Sequence, residues 1–161
     1  MTARRRRWLR VDSPWPWLGY LVIYFFPWMA RGPRPHEVEL TLWIIPTFLV
    51  LYVLSYRGRA IVTIPAAAGM MTLAFIGVPV MTTATVFIGY ASAALGWLRP
   101  RSLALSTLGV LVICTTLAWT LLDFPVVQLT PCLFFIVMTG GACILSAESV
   151  EREQALIDTQ A

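Results

Sequence analysis

The chain has 161 residues, of which 58% are hydrophobic and only 12% are charged, and its formal net charge is +4. Soluble domains average about 25% charged residues, so this composition excludes an ordinary soluble domain and indicates a protein embedded in a bilayer. Surface helices of a soluble protein would also need polar faces, which the long middle of the chain lacks. We therefore expect an all-α membrane protein.

Six hydrophobic stretches are separated by charged residues and by breaks that contain Pro or Gly. A membrane-spanning helix needs about 20 apolar residues, within a range of roughly 17–25. The pattern predicts six transmembrane helices at about residues 15–30, 40–56, 60–76, 80–97, 103–122 and 126–147. A basic segment (1–14) precedes this bundle, and a helical extension (148–161) follows it. Five spans would result if the third and fourth stretches, joined by Gly77-Val78-Pro79, formed a re-entrant pair with a neighbour.

The arginines predict that both termini lie in the cytoplasm. With this topology ten of the twelve arginines are cytoplasmic and only Arg31 and Arg34 are outside, as the positive-inside rule predicts for short loops. Tryptophan and tyrosine are expected at both interfaces. The expected cytoplasmic anchors are Arg4, Arg5, Arg6, Arg7, Arg57, Arg59, Arg99, Arg101, Trp15, Trp17 and Trp97.

The run Arg4–Arg7 has two interpretations. Basic clusters bind nucleic acid in some proteins, whereas a basic run before a first membrane helix contacts anionic lipid headgroups. We favour the second interpretation, with the bilayer as the partner and no nucleic acid.

The sequence offers no recognisable catalytic, metal or cofactor site. His36, the only histidine, is assigned with Glu37 and Glu39 to a solvated outer loop, and Asp123 to the loop after the fifth stretch, so no ionisable residue is expected inside a span. No nucleophile–base pair or phosphate-binding glycine loop is present. The cysteines, which are Cys114, Cys132 and Cys143, have neither CxxC spacing nor clustered histidines, so no zinc site or disulfide framework is predicted.

The fourth stretch has small residues at four-residue spacing, Gly89 with Ala93 and Ser92 with Gly96. Such spacing lets helix backbones approach closely, either inside one bundle or between protomers. It therefore leaves open which of the two contacts is made.

The last stretch continues into a segment rich in helix formers, with no Gly or Pro after Gly141. The residues at 3-4-3-4 spacing are Ala147, Val150, Gln154, Ile157 and Ala161. Two heptads are too few for a coiled coil, but they suit the beginning of a longer one. Proline can kink a membrane helix, and nearby hydroxyls can satisfy the carbonyl that it frees. Our hypothesis assigns signal transmission along this helix to Thr130, Pro131, Val150, Gln154 and Ile157.

Several loose motifs occur together in an order that resembles a known family. They are the basic N-terminus, Trp17-Leu18-Gly19-Tyr20 leading to Tyr24-Phe25-Phe26-Pro27, the turn Ser55-Tyr56-Arg57-Gly58-Arg59, the segment Gly96-Trp97-Leu98-Arg99-Pro100-Arg101 and the exit helix Glu151–Ala161. In combination they resemble the membrane sensor region of DesK-type sensor histidine kinases. The founding member has five spans rather than six.

The resemblance implies a dimeric two-component kinase in a bacterial inner membrane, which reads lipid order, thickness or temperature and phosphorylates a response regulator. ATP and magnesium would then serve only the kinase domain, and this chain would be the sensor portion, as a shortened kinase or a natural short protein. Two alternatives from other classes are a small transporter or channel subunit, which liposome uptake would reveal, and a structural membrane-assembly protein, which would copurify with a partner.

Overall fold

The computed structural model describes residues 16–56 and 59–160, and all regular structure in these ranges is helical. Arg4–Arg7, Trp15, Arg57 and Ala161 lie outside the described residues. A 3-10 turn (Pro16–Leu21) leads into α1 (Val22–Arg31), and α2 (Pro35–Ser55) and α3 (Ala60–Gly77) follow. A second 3-10 turn (Thr82–Thr85) leads into α4 (Val86–Gly96), which precedes α5 (Arg101–Leu121) and α6 (Val126–Gln160).

Four of these helices, α2, α3, α5 and α6, are long and apolar enough to cross a membrane, which indicates a multi-pass membrane protein. The other two are shorter: α1 has 10 residues and α4 has 11, fewer than the roughly 17–25 that a spanning α-helix needs. The first and fourth predicted spans are thus not single α-helices. In each, a 3-10 turn supplies the first residues.

The helix α2 begins at Pro35, five residues before the predicted start at residue 40. Proline suits the first turn of a helix because its missing N–H would have no partner there. The carboxylate of Glu37 accepts the backbone N–H of Arg34 at 3.1 Å, as in a capping box. These two local features start the helix among polar residues that hydropathy assigned to a loop.

The short helix α4 lies at the centre of the bundle. Nine of its eleven residues are buried, and it contacts α2, α3, α5 and α6. By contrast, only four of the 21 residues of α5 are buried. The predicted small residues allow this central position, because Gly89, Ser92 and Gly96 take little space between the helices around them.

Contacts between successive helices define two ends of the bundle. At the Glu37 end, the indole of Trp28 in α1 donates a hydrogen bond to Glu37 at 3.1 Å. Phe75 of α3 stacks there on Phe124, which lies between α5 and α6. At the other end, which we call the Trp97 end, residues that follow α2 and α4 line one cavity with the α6 extension.

Candidate functional site

The five residues assigned to signal transmission lie along α6 but do not form one cluster. Thr130 and Pro131 are exposed near the start of the helix, and α6 continues through Pro131 without a break. Val150 follows Pro131 by nineteen residues, about 29 Å along the helix axis at 1.5 Å per residue. Val150 lines a cavity, Ile157 is exposed, and Gln154 lies in the helical extension between them. Only the helix itself connects the two groups, so their roles stay a prediction.

The closest approach between helices near this site is the crossing of α4 and α6. A Cβ atom added to Gly96 would lie 2.6 Å from the carbonyl oxygen of Gly140 and 2.8 Å from Cβ of Cys143. Because one of these neighbours is backbone, it cannot move aside as a side chain can. The crossing therefore fixes the position of α6 along the axis of α4.

A second small residue of α4 faces the same helix. A Cβ atom on Gly89 would overlap the ring of Phe135 in α6. The small-residue spacing of the fourth stretch thus serves contacts inside the bundle at Gly89 and Gly96, which decides between the two possibilities for these positions. Ala93 instead faces a cavity.

Two ion pairs attach the extension of α6 to the connection between α4 and α5. The guanidinium of Arg99 pairs with Glu151, and Nη1 of Arg101 lies 2.8 Å from Oε1 of Glu148. The contact between Arg101 and Glu148 is an ion pair but not a hydrogen bond, because Glu148 Oε1 has no hydrogen-bond partner among the described residues. We call these four residues the arginine clamp. Partly exposed pairs of this kind contribute about 0–1 kcal/mol each, so the clamp positions the extension without locking it.

The sequence contained a signal for this clamp that hydropathy reasoning overlooked. The positive-inside rule predicts Arg99 and Arg101 as membrane anchors. Glu148 and Glu151 are three residues apart, so they lie on the same face of a helix. Two acids on one face of a helix can pair with basic residues of a neighbouring connection, as they do here. The anchoring role of the arginines stays a prediction beside this observed contact.

An aromatic column runs along the inside of the bundle between α1, α2 and α4. Successive ring centroids are 4.8–5.3 Å apart, within the range in which aromatic pairs attract each other by about 0.5–1.5 kcal/mol. In order from the Glu37 end, the rings are Tyr24, Phe87, Phe48, Tyr90, Tyr52 and Tyr56. This column packs α4 against α2 and leaves the opposite side of α4 to α6.

The assignment of Glu37 to a solvated loop is wrong, because its side chain is fully buried. Its carboxylate pairs with Arg31 at 2.6 Å and accepts hydrogen bonds from the Trp28 indole and the Arg34 backbone, both at 3.1 Å. Gly32, with a positive φ of 75°, provides the sharp turn that brings α1 and α2 together. His36 and Glu39, which lie on either side of Glu37 in the sequence, are exposed. Asp123 lies in the turn between α5 and α6. Glu37 is thus a structural ion-pair centre that joins the first two helices.

Within residues 16–56 and 59–160, no three His, Cys, Asp or Glu side chains gather in a group that could hold a metal ion. The cysteines are free thiols: Cys132 and Cys143 are buried, and Cys114 is exposed on the apolar surface of α5. The geometry of the site is therefore one of helix contacts rather than of reactive groups. In comparisons with known proteins, no family model matches the chain, and neither a curated protein nor a solved structure is significantly similar to it.

Proposed function

We propose that this chain is the transmembrane sensor portion of a two-component histidine kinase, and that α6 carries its output. The observation that carries the proposal is the single helix Val126–Gln160, whose 35 residues begin in the bundle and continue beyond it. Its inner face is buried at Ile136, Cys143 and Ala147, and the arginine clamp holds the part that follows. A helix packed at one end and extended at the other transmits rotation and tilt.

The contacts of α6 suit a device that moves at modest energetic cost. The crossing at Gly96 fixes its position along the axis of α4, whereas the arginine clamp can open at a cost of about 0–1 kcal/mol per pair. A few kcal/mol are enough to shift a two-state equilibrium, since about 5.5 kcal/mol moves it from 1:99 to 99:1. In the proposed homodimer, two extensions would pair through Val150 and Ile157 and pass this shift to the kinase core.

The proposed signal is a property of the bilayer, such as lipid order or thickness. Support comes from the broad apolar surface that α5 and α6 expose, which includes Ile113, Leu121, Val127 and Phe134. Hydrophobic mismatch costs a fraction of a kcal/mol per Å for each helix. In a dimer, this cost is summed over twice as many helices as in one chain. In this proposal a response regulator, ATP and magnesium are partners of the kinase domain and not of the bundle.

We also propose that all six helical segments cross the membrane, with both termini in the cytoplasm. The rise of a 3-10 helix is about 2.0 Å per residue against 1.5 Å for an α-helix. The segments 16–31 and 82–96 would therefore extend over about 27 and 24 Å, close to the hydrocarbon thickness of about 30 Å. The arginines support the orientation: Arg59, Arg99 and Arg101 lie at the Trp97 end.

A labelling experiment tests this topology. Single cysteines at His36 and at Glu153, both exposed, would be introduced into a chain whose three native cysteines are replaced by serine, so that every arginine is kept. We expect an impermeant maleimide to label His36→Cys in intact cells and Glu153→Cys only after lysis. Labelling of both positions from the same side of the membrane would contradict the odd number of crossings, five, that this topology places between them.

The output role of α6 is tested by reversing charges in the clamp, with residues 1–161 followed by a kinase core. Arg99→Glu would place two negative groups together and release the extension, so autophosphorylation should change severalfold, in line with a shift of about 1 kcal/mol. Adding Glu151→Arg should restore the original level. Arg152→Glu, an exposed site on the same extension, provides the control for charge alone. Equal effects of Arg99→Glu and Arg152→Glu would argue against the clamp.

A further inference from the structure

A cavity of about 510 Å³ lies between α4, α6 and the ends of the first two helical segments. Its volume is within the roughly 300–1,000 Å³ of typical ligand sites. Small residues line it on two helices, Gly89, Ala93 and Ala94 on α4 and Ala142 on α6, and we call them the small-residue wall. The aromatic residues that line the cavity are Tyr20, Tyr52, Tyr56, Tyr90, Trp97 and Phe135.

The hydroxyl groups in the cavity wall are already engaged with the protein. Ser55 donates to the carbonyl of Tyr52 at 2.7 Å, and Thr139 donates to the carbonyl of Phe135 at 2.6 Å. The Tyr52 hydroxyl donates to Tyr56. A ligand here would therefore meet mainly carbon atoms, which favours a hydrocarbon over a polar metabolite.

The depth of the cavity matches one leaflet of a bilayer. From Val86 to Trp97 its wall follows α4 for about 16 Å at 1.5 Å per residue, and half of a hydrocarbon core of about 30 Å is about 15 Å. Tyr20, Tyr56 and Trp97 line the cavity at the Trp97 end, where aromatic residues of a membrane interface would be expected. Met138 and Ala142 are exposed at its side, where the apolar surface of α6 faces the surrounding lipid.

We propose that this cavity binds one acyl chain of a membrane lipid, which enters between α4 and α6 from the leaflet at the Trp97 end. The chain would extend along the small-residue wall toward Gly89, and its headgroup would stay near Trp97 and Val150. Since Val150 lines the cavity and begins the extension, the bound chain would contact the helix that the arginine clamp holds. The binding itself depends on membrane embedding and not on the proposed kinase role.

Photolabelling of the full chain tests the proposal. The chain would be placed in phosphatidylethanolamine–phosphatidylglycerol vesicles that contain a phospholipid with a diazirine near the end of one acyl chain. We expect cross-links to concentrate on the cavity wall at Gly89, Ala93 and Phe135. A second lipid, with the diazirine in its headgroup, should label the region of Trp97 and Val150 instead. Cross-links spread evenly over exposed sites such as Ile113 and Val137 would overturn the proposal.

Filling the cavity provides a matched comparison. Ala142→Phe places a ring in the cavity, whereas Val137→Phe places one on the 61%-exposed lipid side of the same helix. We expect the first variant to reduce cross-linking on the cavity wall roughly tenfold, an effect of about 1.4 kcal/mol, and the second to leave it unchanged. An unchanged cross-link pattern in Ala142→Phe would overturn the proposal. If that variant does not fold, the positions of the cross-links in the native chain still test the proposal. The experiment uses no kinase measurement, so failure of the proposed sensor role would not affect its result.

Discussion

Gly96→Ala is expected to lower the unfolding free energy of the bundle by about 1–3 kcal/mol, the usual range for overpacking a close-packed site. The added Cβ would lie 2.6 Å from the carbonyl oxygen of Gly140, so the backbones of α4 and α6 would have to separate. That separation would also weaken the packing of Phe135 over Gly89. Unfolding in mixed detergent micelles, followed by circular dichroism and tryptophan fluorescence, measures the change.

Three other glycines form a graded series of controls. A Cβ atom on Gly141 or Gly109 would meet nothing within 4 Å, and one on Gly140 would meet only the flexible side chain of Leu108. Alanine at Gly141 and Gly109 should be neutral or slightly stabilising because alanine is the better helix former, and Gly140→Ala should fall between these and Gly96→Ala. If Gly96→Ala and Gly141→Ala were equally stable, the close crossing would not exist in the folded protein.

Insertion of one residue between Arg152 and Glu153 is expected to uncouple the output of a kinase joined to this chain from its membrane signal. A helix has 3.6 residues per turn, so the insertion rotates everything downstream by about 100°. Ile157 would leave the face that it shares with Val150, and the proposed dimer seam would no longer be continuous. The insertion lies beyond both ion pairs, so the arginine clamp stays intact. Autophosphorylation in vesicles of short-chain and long-chain lipids measures the response.

Insertion of seven residues at the same place is the matched control. It changes the phase by only about 20° and should largely restore the response. Equal regulated output from both insertions would show that the extension is a flexible tether and would contradict the output role of α6.

The gross helical layout could be predicted because it follows from local composition. Hydropathy and the positions of Pro, Gly and Arg placed all six helical segments within a few residues at most boundaries. The start of α2 was missed since a polar run scores as a loop, although Pro35 and Glu37 contain the signal of a helix N-terminus. Burial of Glu37 was beyond the sequence because its partner Arg31 reaches it only through the turn at Gly32.

The candidate site could be predicted only in part, because it depends on contacts between distant segments. The spacing of Gly89 and Gly96 indicated close packing, but not that α6 is the helix packed against them. The clamp joins Arg99 and Arg101 to acids about fifty residues later. The cavity has walls from four separate stretches of chain, and no local pattern encodes such an enclosure.

In the proposed sensor, the crossing of α4 and α6 at Gly140 would be the pivot about which the last helix tilts. At 1.5 Å per residue, the arm from Val126 to Gly140 is about 21 Å long, and the arm from Gly140 to Gln160 is about 30 Å. A sideways displacement of the Val126 end by 1 Å therefore moves the Gln160 end by about 1.4 Å in the opposite direction. In that proposal, a change of bilayer packing around the exposed side chains of Val126 and Val127 would reach the far end of the helix as a larger displacement in the opposite direction.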